Sequence, residues 1–279
     1  MRSGGNENGG CNGVAGSQNQ KCAGDGGRCA GRIRVIGLGP GDECLLAPLA
    51  AEAIAGADAV VGYTAYVRLI PEELLEGKEV LSTGMTAEVE RCRRAVDEAV
   101  SGRDVVVVCS GDPGIYAMSG LVLEILEADR LIDKVRFEVV PGIPAFAAAS
   151  ALLGAPLMHD FASVSLSDLL TPWEKIEKRL EAASGADFVI AIYNPRSKKR
   201  AGHLAEAVAI VRRHRRGDTP VGIVNRAYRE GQRVAVCTLD TLNEDDVDMQ
   251  TVLIIGNSST RKTGDFMLTP RGYAEKYNL

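Results

Sequence analysis

The sequence predicts an α/β protein built from two lobes. Short apolar runs alternate along the chain with segments of helical periodicity, which is the pattern that strands and helices leave when they follow one another. A length of 279 residues suffices for two compact lobes. The Pro-Gly-Ile-Pro segment at 141–144 breaks the chain near its middle and predicts the hinge between them.

Residues 1–31 precede the first lobe and differ from it in composition. They are rich in glycine, asparagine and serine and contain almost no large apolar side chain, so a disordered tail is expected. The tail also lacks the apolar stretch of a secretion signal and the arginine-rich pattern of a transit peptide. The N-terminal lobe is predicted over 32–142 and the C-terminal lobe over 143–279, with the boundary at Gly142.

Six apolar runs are predicted to be strands, at 34–37, 104–109, 135–140, 187–193, 220–225 and 251–255. Helical stripes lie between them, and one of these predicts a core face formed by Val89, Cys92, Val96 and Val100. A further helix is expected after the Thr-Pro-Trp-Glu segment at 171–174, with a threonine N-cap, proline at the first helical position and a capping box.

Composition and charge limit the class of protein. Hydrophobic residues make up 46% and charged residues 25%, the balance of an ordinary globular chain, and the longest apolar runs fall far short of the roughly 20 residues that cross a bilayer. A net charge of −5 argues against nonspecific nucleic-acid binding and favours a small-molecule partner. Seven cysteines without a secretory leader indicate reduced thiols in the cytoplasm, and their spacing matches no zinc site.

Three glycine-containing turns follow predicted strands, at 35–42 (Val-Ile-Gly-Leu-Gly-Pro-Gly-Asp), 110–116 (Ser-Gly-Asp-Pro-Gly-Ile-Tyr) and 139–146 (Val-Val-Pro-Gly-Ile-Pro-Ala-Phe). Ligands bind beyond the carboxyl ends of strands in open α/β sheets, so the first two turns are expected to face one pocket, and the third to line a cleft between the lobes. Asp112 either accepts hydrogen bonds from a ligand or caps the next helix, and the spacing favours the cap. Neither the dinucleotide-binding fingerprint nor the phosphate-loop pattern is complete.

The GPGD, GDP and VPG turns, in this order, resemble the S-adenosylmethionine-binding half of the tetrapyrrole methylase family. The second lobe resembles the branch that methylates C-17 of precorrin-3B, through Ser-Leu-Ser-Asp-Leu-Leu-Thr-Pro-Trp at 165–173, Tyr-Asn-Pro at 193–195 and Asn-Arg-Ala-Tyr-Arg-Glu-Gly-Gln at 225–232. Asn225-Arg226 stands where Arg-Asn is the commoner order, and this changes which side chain faces the pocket.

The resemblance implies a two-lobed fold, with a mixed sheet flanked by helices in each lobe and the cofactor S-adenosylmethionine in the cleft between them. It implies a homodimer, a tetrapyrrole substrate, no bound metal beyond any cobalt within the substrate, and transfer to C-17 with ring contraction to precorrin-4 in cobalamin biosynthesis. The implied cofactor residues act mostly through their backbone: Pro40, Gly111, Asp112, Ile115, Ala145, Asn194, Ala227 and Thr251.

Two further groups of residues are candidates for the chemistry. Arg196, Arg226 and Arg229 lie in or beside turns at strand ends and are expected to bind carboxylates of the substrate. Ring contraction requires a proton to leave the C-20 hydroxyl, so a general base, or an acid that assists lactone opening, is expected. The candidates for that role are His159, Ser167 and Asp168, whereas His203 and His214 are expected at the surface.

Three alternatives remain open from the sequence. In the first, the chain is another member of the same family that acts on a different precorrin, on diphthamide or on ribosomal RNA. The motif at 165–173 and the acidic surface argue against this alternative. The second alternative is a nucleotide-dependent oxidoreductase, but the glycine pattern expected of that class is not complete in this sequence. A noncatalytic module that binds S-adenosylmethionine would keep the cleft without turnover.

Overall fold

The computed structural model describes residues 31–197 and 202–277. The tail predicted over 1–31 therefore lies outside the described residues, except for Gly31. Within the two described ranges, no helix has the length and apolar character to cross a membrane.

A five-stranded sheet forms the N-terminal lobe, with β1 (Arg32–Gly37), β2 (Ala59–Tyr63), β3 (Glu79–Thr83), β4 (Asp104–Cys109) and β5 (Arg136–Val140). The strands lie in the order β3-β2-β4-β1-β5 and every pairing is parallel. The expectation of a mixed sheet in this lobe is therefore corrected to a parallel one. The helices are α1 (Pro48–Ala55), α2 (Thr64–Val67), α3 (Glu88–Val100) and α4 (Ser119–Ala128), with short 3₁₀ turns at Glu43–Leu45 and Glu72–Leu74.

Helices cover both faces of this sheet, which explains the uninterrupted apolar runs of its central strands. Along β4, Val105 and Val107 pack toward α3 and α4, while Val106 and Val108 pack toward α1. The turn after β1 leads to α1 on one face, and the turn after the adjacent β4 leads to α4 on the other. This reversal opens a crevice at the carboxyl ends of the two strands, where open α/β sheets bind ligands.

The C-terminal lobe contains a mixed sheet of β7 (Phe161–Ser165), β8 (Val189–Tyr193), β9 (Pro220–Asn225), β10 (Arg233–Thr238) and β11 (Thr251–Ile255) in the order β10-β9-β11-β8-β7. Only β7 and β8 pair in parallel. A small sheet joins β6 (Gly154–Ala155), β12 (Arg261–Thr263) and β13 (Phe266–Leu268). The helices are α5 (Ala145–Leu153), α6 (Trp173–Gly185), α7 (His203–Val211) and α8 (Tyr273–Tyr277), with a 3₁₀ turn at Glu244–Asp246.

Helix α5 packs on the second sheet, where Ala149 and Leu153 join a buried cluster with Val224 and Ile254. The chain thus leaves the first sheet at the end of β5 and enters the second lobe with α5. The boundary predicted at Gly142 lies in the loop between these two elements, and it stays a prediction.

Two local predictions are wrong in detail. Helix α6 begins at Trp173, with Pro172 in the cap position and no side-chain capping bond, so the threonine cap and the capping box do not form. In α3, Val89 and Val100 are exposed, and the buried residues are Arg91, Cys92, Ala95, Val96 and Ala99. Alanines serve that face because α3 lies close to the sheet and to α4.

Candidate active site

A cavity of about 510 Å³ lies between the two lobes, at the carboxyl ends of β1, β2, β4 and β8. The eight residues implied as cofactor contacts all belong to its lining: Pro40, Gly111, Asp112, Ile115, Ala145, Asn194, Ala227 and Thr251. They come from six separate segments of the chain, which the fold brings together around this cavity. Their contacts with a cofactor stay a prediction.

The three glycine turns pack backbone against backbone on one side of the cavity. Gly39 and Gly111 exchange two hydrogen bonds, with N–O distances of 3.1 and 2.7 Å, which join the turns after β1 and β4. A Cβ atom placed on Gly142 would lie 2.8 Å from the Cα of Gly37 and closer still to the carbonyl oxygen of Gly111. Gly142 therefore has no room for a side chain because of the close approach of the main chain, whereas Gly39 and Gly111 have left-handed φ of 69° and 71°, which favours glycine.

Asp112 fixes the relative position of two of these turns. Its carboxylate accepts hydrogen bonds from the amide of Gly114 at 2.8 Å and from the amide of Gly142 at 3.2 Å. Helix α4 begins only at Ser119 and has no side-chain cap, so the interpretation of Asp112 as the cap of the next helix is wrong. Its carboxylate instead joins the GDP turn to the hinge.

The loop after β9 supplies the opposite wall through strained backbone. Arg226 and Tyr228 both have left-handed conformations, with φ of 50° and 55°, and Ala227 between them lines the cavity. Such backbone is costly for residues with a side chain and is held where a loop contacts a ligand. Asn194, after β8, has a φ of 51° and lines the cavity as well.

A buried polar cluster supports this loop. The Asn225 amide donates to Asp248 Oδ1 at 2.7 Å and to Thr251 Oγ1 at 3.0 Å. Although burial of Asp248 opposes it, donation from Asn225, from the Gln250 amide and from Thr251 lowers the pKa of that carboxyl. Asn225 is thus held within this buried cluster, whereas the neighbouring Arg226 is exposed and its Nε donates to Gln250 Oε1 at 2.7 Å.

The lining suits a nucleoside joined to an amino acid. Its volume falls within the range of about 300–1,000 Å³ usual for small-molecule sites. Apolar side chains such as Ile115, Val224 and Val252 alternate with turn backbone and with the hydroxyl of Thr251. An adenine ring needs the apolar walls, and a ribose or an amino acid needs the peptide groups, so these residues fit S-adenosylmethionine.

The three candidate arginines occupy different environments. Arg229 lines the cavity, where its Nη2 donates to Ser110 Oγ at 2.6 Å and its Nε donates to the carbonyl of Pro40. Burial lowers the pKa of Arg229. Arg226 also lines the cavity but is exposed, whereas Arg196 lies outside the lining and binds Asp245 at 3.0 Å and the carbonyl of Glu244.

The three candidates for acid–base chemistry lie outside the cavity lining. His159 is exposed, and its Nδ1 accepts from the amide of Asp160 at 3.0 Å. The amide of Ser167 donates to Ser165 Oγ at 3.2 Å. The Asp168 carboxylate lies 3.7 Å from Nε2 of His203. The role of each stays a prediction.

His203 was expected at the surface, and that expectation is wrong. Its ring stacks on Trp173 at 4.2 Å, and its side chain retains only 18% of its exposure. Nδ1 lies 3.3 Å from the carbonyl of Leu166, so the ring nitrogen that faces Asp168 is Nε2. This orientation holds one titratable ring against the carboxylate of the 165–173 motif.

Several aromatic and charged residues of the lining were missed by sequence reasoning. Tyr193 accepts a hydrogen bond from the amide of Phe146 at 3.0 Å, and burial raises its pKa to about 12. Tyr116 packs beside it at a ring distance of 5.1 Å. Tyr66 and Arg91 also line the cavity. The usable signals in the sequence were Tyr116 within the GDP turn and Tyr193 in the Tyr-Asn-Pro motif at 193–195.

Comparison with known proteins agrees with this geometry. The family described as Tetrapyrrole (Corrin/Porphyrin) Methylases matches residues 32–243. A cobalt-factor III methyltransferase of Priestia megaterium is 47% identical over 89% of this chain, but the chain spans only 46% of that longer protein. A probable cobalt-factor III C(17)-methyltransferase of Salmonella typhimurium is 46% identical over 86% of this chain and 99% of its own length.

One solved structure extends the comparison to three dimensions. The crystal structure of the methyltransferase CobJ is 39% identical, has a TM-score of 0.82, and covers 86% of this chain and 100% of its own. The two-lobed α/β fold expected from the sequence is thereby confirmed. The chain belongs to the tetrapyrrole (corrin/porphyrin) methylase family, and it is a methyltransferase whose methyl donor is S-adenosylmethionine.

Proposed function

We propose that the chain methylates C-17 of precorrin-3B or its cobalt-containing counterpart and contracts the ring to precorrin-4 in cobalamin biosynthesis. The observation that carries this proposal is the 46% identity to the Salmonella typhimurium relative along 99% of that protein. That relative and the one from Priestia megaterium are named for cobalt-factor III, which favours the cobalt-containing substrate.

S-adenosylmethionine supplies an electrophilic methyl group when bound, and the residues of the chain orient and shield the reacting groups. The Gly39–Gly111 pair and Asp112 hold the turns of the N-terminal lobe in fixed positions before binding. Arg229 ties the opposite loop to those turns. A rigid, largely dehydrated cleft lowers the barrier to displacement mainly by positioning, so no covalent nucleophile is needed.

The proton of the C-20 hydroxyl leaves during ring contraction, and of the three candidates we take Asp168 to accept it. Nε2 of His203 lies 3.7 Å from the Asp168 carboxylate, which supports this choice over His159. His159 lacks such a partner arrangement, since its contacts are with its own neighbour Asp160. Of the three candidate arginines, Arg226 and Arg229 are the ones we propose to bind substrate carboxylates, and their position in the cavity lining supports this.

The remaining parts of the proposal concern the whole molecule. A homodimer is expected from the family resemblance, and light scattering measures it directly. A cytoplasmic location is consistent with the free thiols of Cys44, Cys92, Cys109 and Cys237. The net charge of −5 supports a small-molecule substrate over a nucleic acid.

The test is anaerobic incubation of the protein with S-adenosylmethionine and either precorrin-3B or its cobalt form. Release of one S-adenosylhomocysteine per product, with a methylated and ring-contracted product by mass and absorption spectrum, is expected with the cobalt form. Arg93→Gln serves as a matched surface control that keeps full activity, because Arg93 is exposed and pairs only with Asp129. Cofactor binding without turnover on either substrate would refute the substrate and favour another precorrin or a noncatalytic module.

A further inference from the structure

Tyr63, Tyr66 and Arg91 from the β2–α3 region line the cavity, and Arg229 lines it from the other lobe. Arg91 is 4% exposed although it projects from the charged helix α3. Its guanidinium donates to Thr83 Oγ1 and to the carbonyl of Gly84, both at 2.9 Å, and lies 5.9 Å from the centre of the Tyr63 ring. All three of these partners are neutral.

Arg229 repeats this pattern. Its partners are the carbonyl of Pro40 and the hydroxyl of Ser110, which are again neutral. Tyr66 lines the same cavity as Arg229 and Arg91, and the charges of both arginines oppose the rise that burial gives to its pKa. Burial raises the pKa of the Tyr66 phenol, which therefore stays protonated and can donate a hydrogen bond.

Nearby carboxylates do not neutralise the charges of Arg91 and Arg229. Neither arginine forms an ion pair with an acid among the described residues. Asp112 is engaged with the amides of Gly114 and Gly142. Glu88, one turn before Arg91 on the same helix, lines the cavity without approaching that guanidinium within 4.0 Å. A buried cation and a half-buried one, with no anion as an ion-pair partner among the described residues, are costly to keep unless a ligand supplies the charge.

We propose that Arg91, Arg229 and the Tyr66 hydroxyl form a binding subsite for a carboxylate of the ligand. Guanidinium groups suit this chemistry because their planar forks match a carboxylate with two parallel hydrogen bonds. Two sources exist in the reaction: the methionine carboxylate of the cofactor and an acetate or propionate side chain of the tetrapyrrole. The second source rests on the proposed function, whereas the first requires only the methyl donor.

The experiment compares Arg91→Gln with Arg93→Gln on the same helix. Glutamine keeps a donor for Thr83 and Gly84 but removes the charge, and Arg93 lies outside the cavity lining. Dissociation constants are measured by calorimetry for S-adenosylhomocysteine and for 5′-(3-aminopropylthio)-5′-deoxyadenosine, which lacks the carboxylate. Dicyanocobyrinic acid, a stable corrin polycarboxylate, is titrated by fluorescence quenching as the probe of the tetrapyrrole arm.

Loss of a charge-assisted bond predicts that Arg91→Gln weakens one carboxylate ligand by about 10- to 100-fold, while Arg93→Gln changes neither. Weaker S-adenosylhomocysteine with an unchanged decarboxylated analogue assigns the subsite to the cofactor. Weaker dicyanocobyrinic acid with unchanged S-adenosylhomocysteine assigns it to the substrate. Unchanged affinity for both carboxylate ligands, or equal weakening of S-adenosylhomocysteine and its decarboxylated analogue, overturns the proposal.

Arg229→Gln is the second variant should Arg91→Gln fail to fold, and the same selectivity for carboxylate ligands is expected of it. None of these binding measurements needs turnover. Failure of the methylation assay would therefore refute the substrate assignment and leave the subsite intact, whereas unchanged affinities in an active enzyme would refute only the subsite.

Discussion

Replacing Gly142 with alanine tests whether the close packing of the three glycine turns fixes the shape of that side of the cavity. The added Cβ would lie 2.8 Å from the Cα of Gly37 and nearer still to the Gly111 carbonyl oxygen, and each of these neighbours is backbone. Carbon atoms pack at about 3.5–4.0 Å, so one turn must move by about 1 Å. The φ of Gly142 is not left-handed, which makes lack of space the sole cause.

The expected cost is about 3 kcal/mol of unfolding free energy, near the top of the range of about 1–3 kcal/mol for overpacking, because backbone cannot rotate away. For a chain of this size, that corresponds to a fall of roughly 6–12 °C in the melting temperature. Displacement of the turn also moves the amide that Asp112 accepts from, so S-adenosylhomocysteine affinity is expected to fall by about 100-fold.

Thermal unfolding followed by circular dichroism, with calorimetric titration of S-adenosylhomocysteine, measures both effects. Gly120→Ala is the matched control, since its Cβ meets nothing within 4 Å and helix α4 gains about 0.5–1 kcal/mol from alanine. The two substitutions therefore shift the melting temperature in opposite directions. A Gly142→Ala protein with the stability and affinity of the original would refute the argument that these turns cannot relax.

Three further results are expected. The Asp248→Asn substitution removes a carboxyl whose pKa is lowered in the folded state, and with it a stabilising contribution. In the original protein this contribution is present above the unfolded pKa of about 3.9 and is lost as pH falls through the folded pKa. The acid unfolding curves of the two proteins are therefore expected to converge only at low pH. Tyr193→Phe leaves the Phe146 amide without its acceptor and lowers the unfolding free energy by about 1 kcal/mol in urea titrations. Asp168→Asn lowers kcat by at least about 100-fold with unchanged S-adenosylhomocysteine affinity, whereas His159→Ala retains full activity.

Each of these has a contrary outcome. Parallel acid unfolding curves down to the lowest pH would show that Asp248 does not titrate differently in the folded chain. A Tyr193→Phe protein as stable as the original would mean that water replaces the phenol. Loss of activity in His159→Ala, with Asp168→Asn active, would reverse the roles assigned to those two side chains.

Most central strands could be predicted from sequence because burial on both faces leaves a continuous apolar run, but β2 was missed although four of its five residues are buried. The run at 104–109 coincides with β4, and those at 220–225 and 251–255 coincide with β9 and β11. Strand β3 was missed because its exposed edge position permits polar residues, with only Leu81 buried. The threonine cap predicted for α6 does not form, because a local motif does not fix the residue at which the helix begins.

The glycine turns on one side of the cavity could be anticipated, because turns leave glycine and proline signals in the sequence. The side chains that fill the rest of the cavity could not. Arg91 stands in a run of charged residues, and only the packing of α3 decides that it points inward while Arg93 points outward. Its spacing of four residues from the buried Ala95 is the only sign of this in the sequence.

The hydrogen bond from Arg229 to Pro40 joins residues 189 positions apart, and this separation has a consequence for synthesis of the protein. A ribosome exposes the N-terminal lobe and its parallel sheet long before the loop after β9 emerges. The nascent N-terminal lobe therefore presents only its own part of the cavity lining, and a ligand that needs both lobes cannot yet bind and stabilise it. Ligand added during translation is expected to shield the chain from protease only after both lobes have left the exit tunnel, which makes that shielding a reporter of complete assembly.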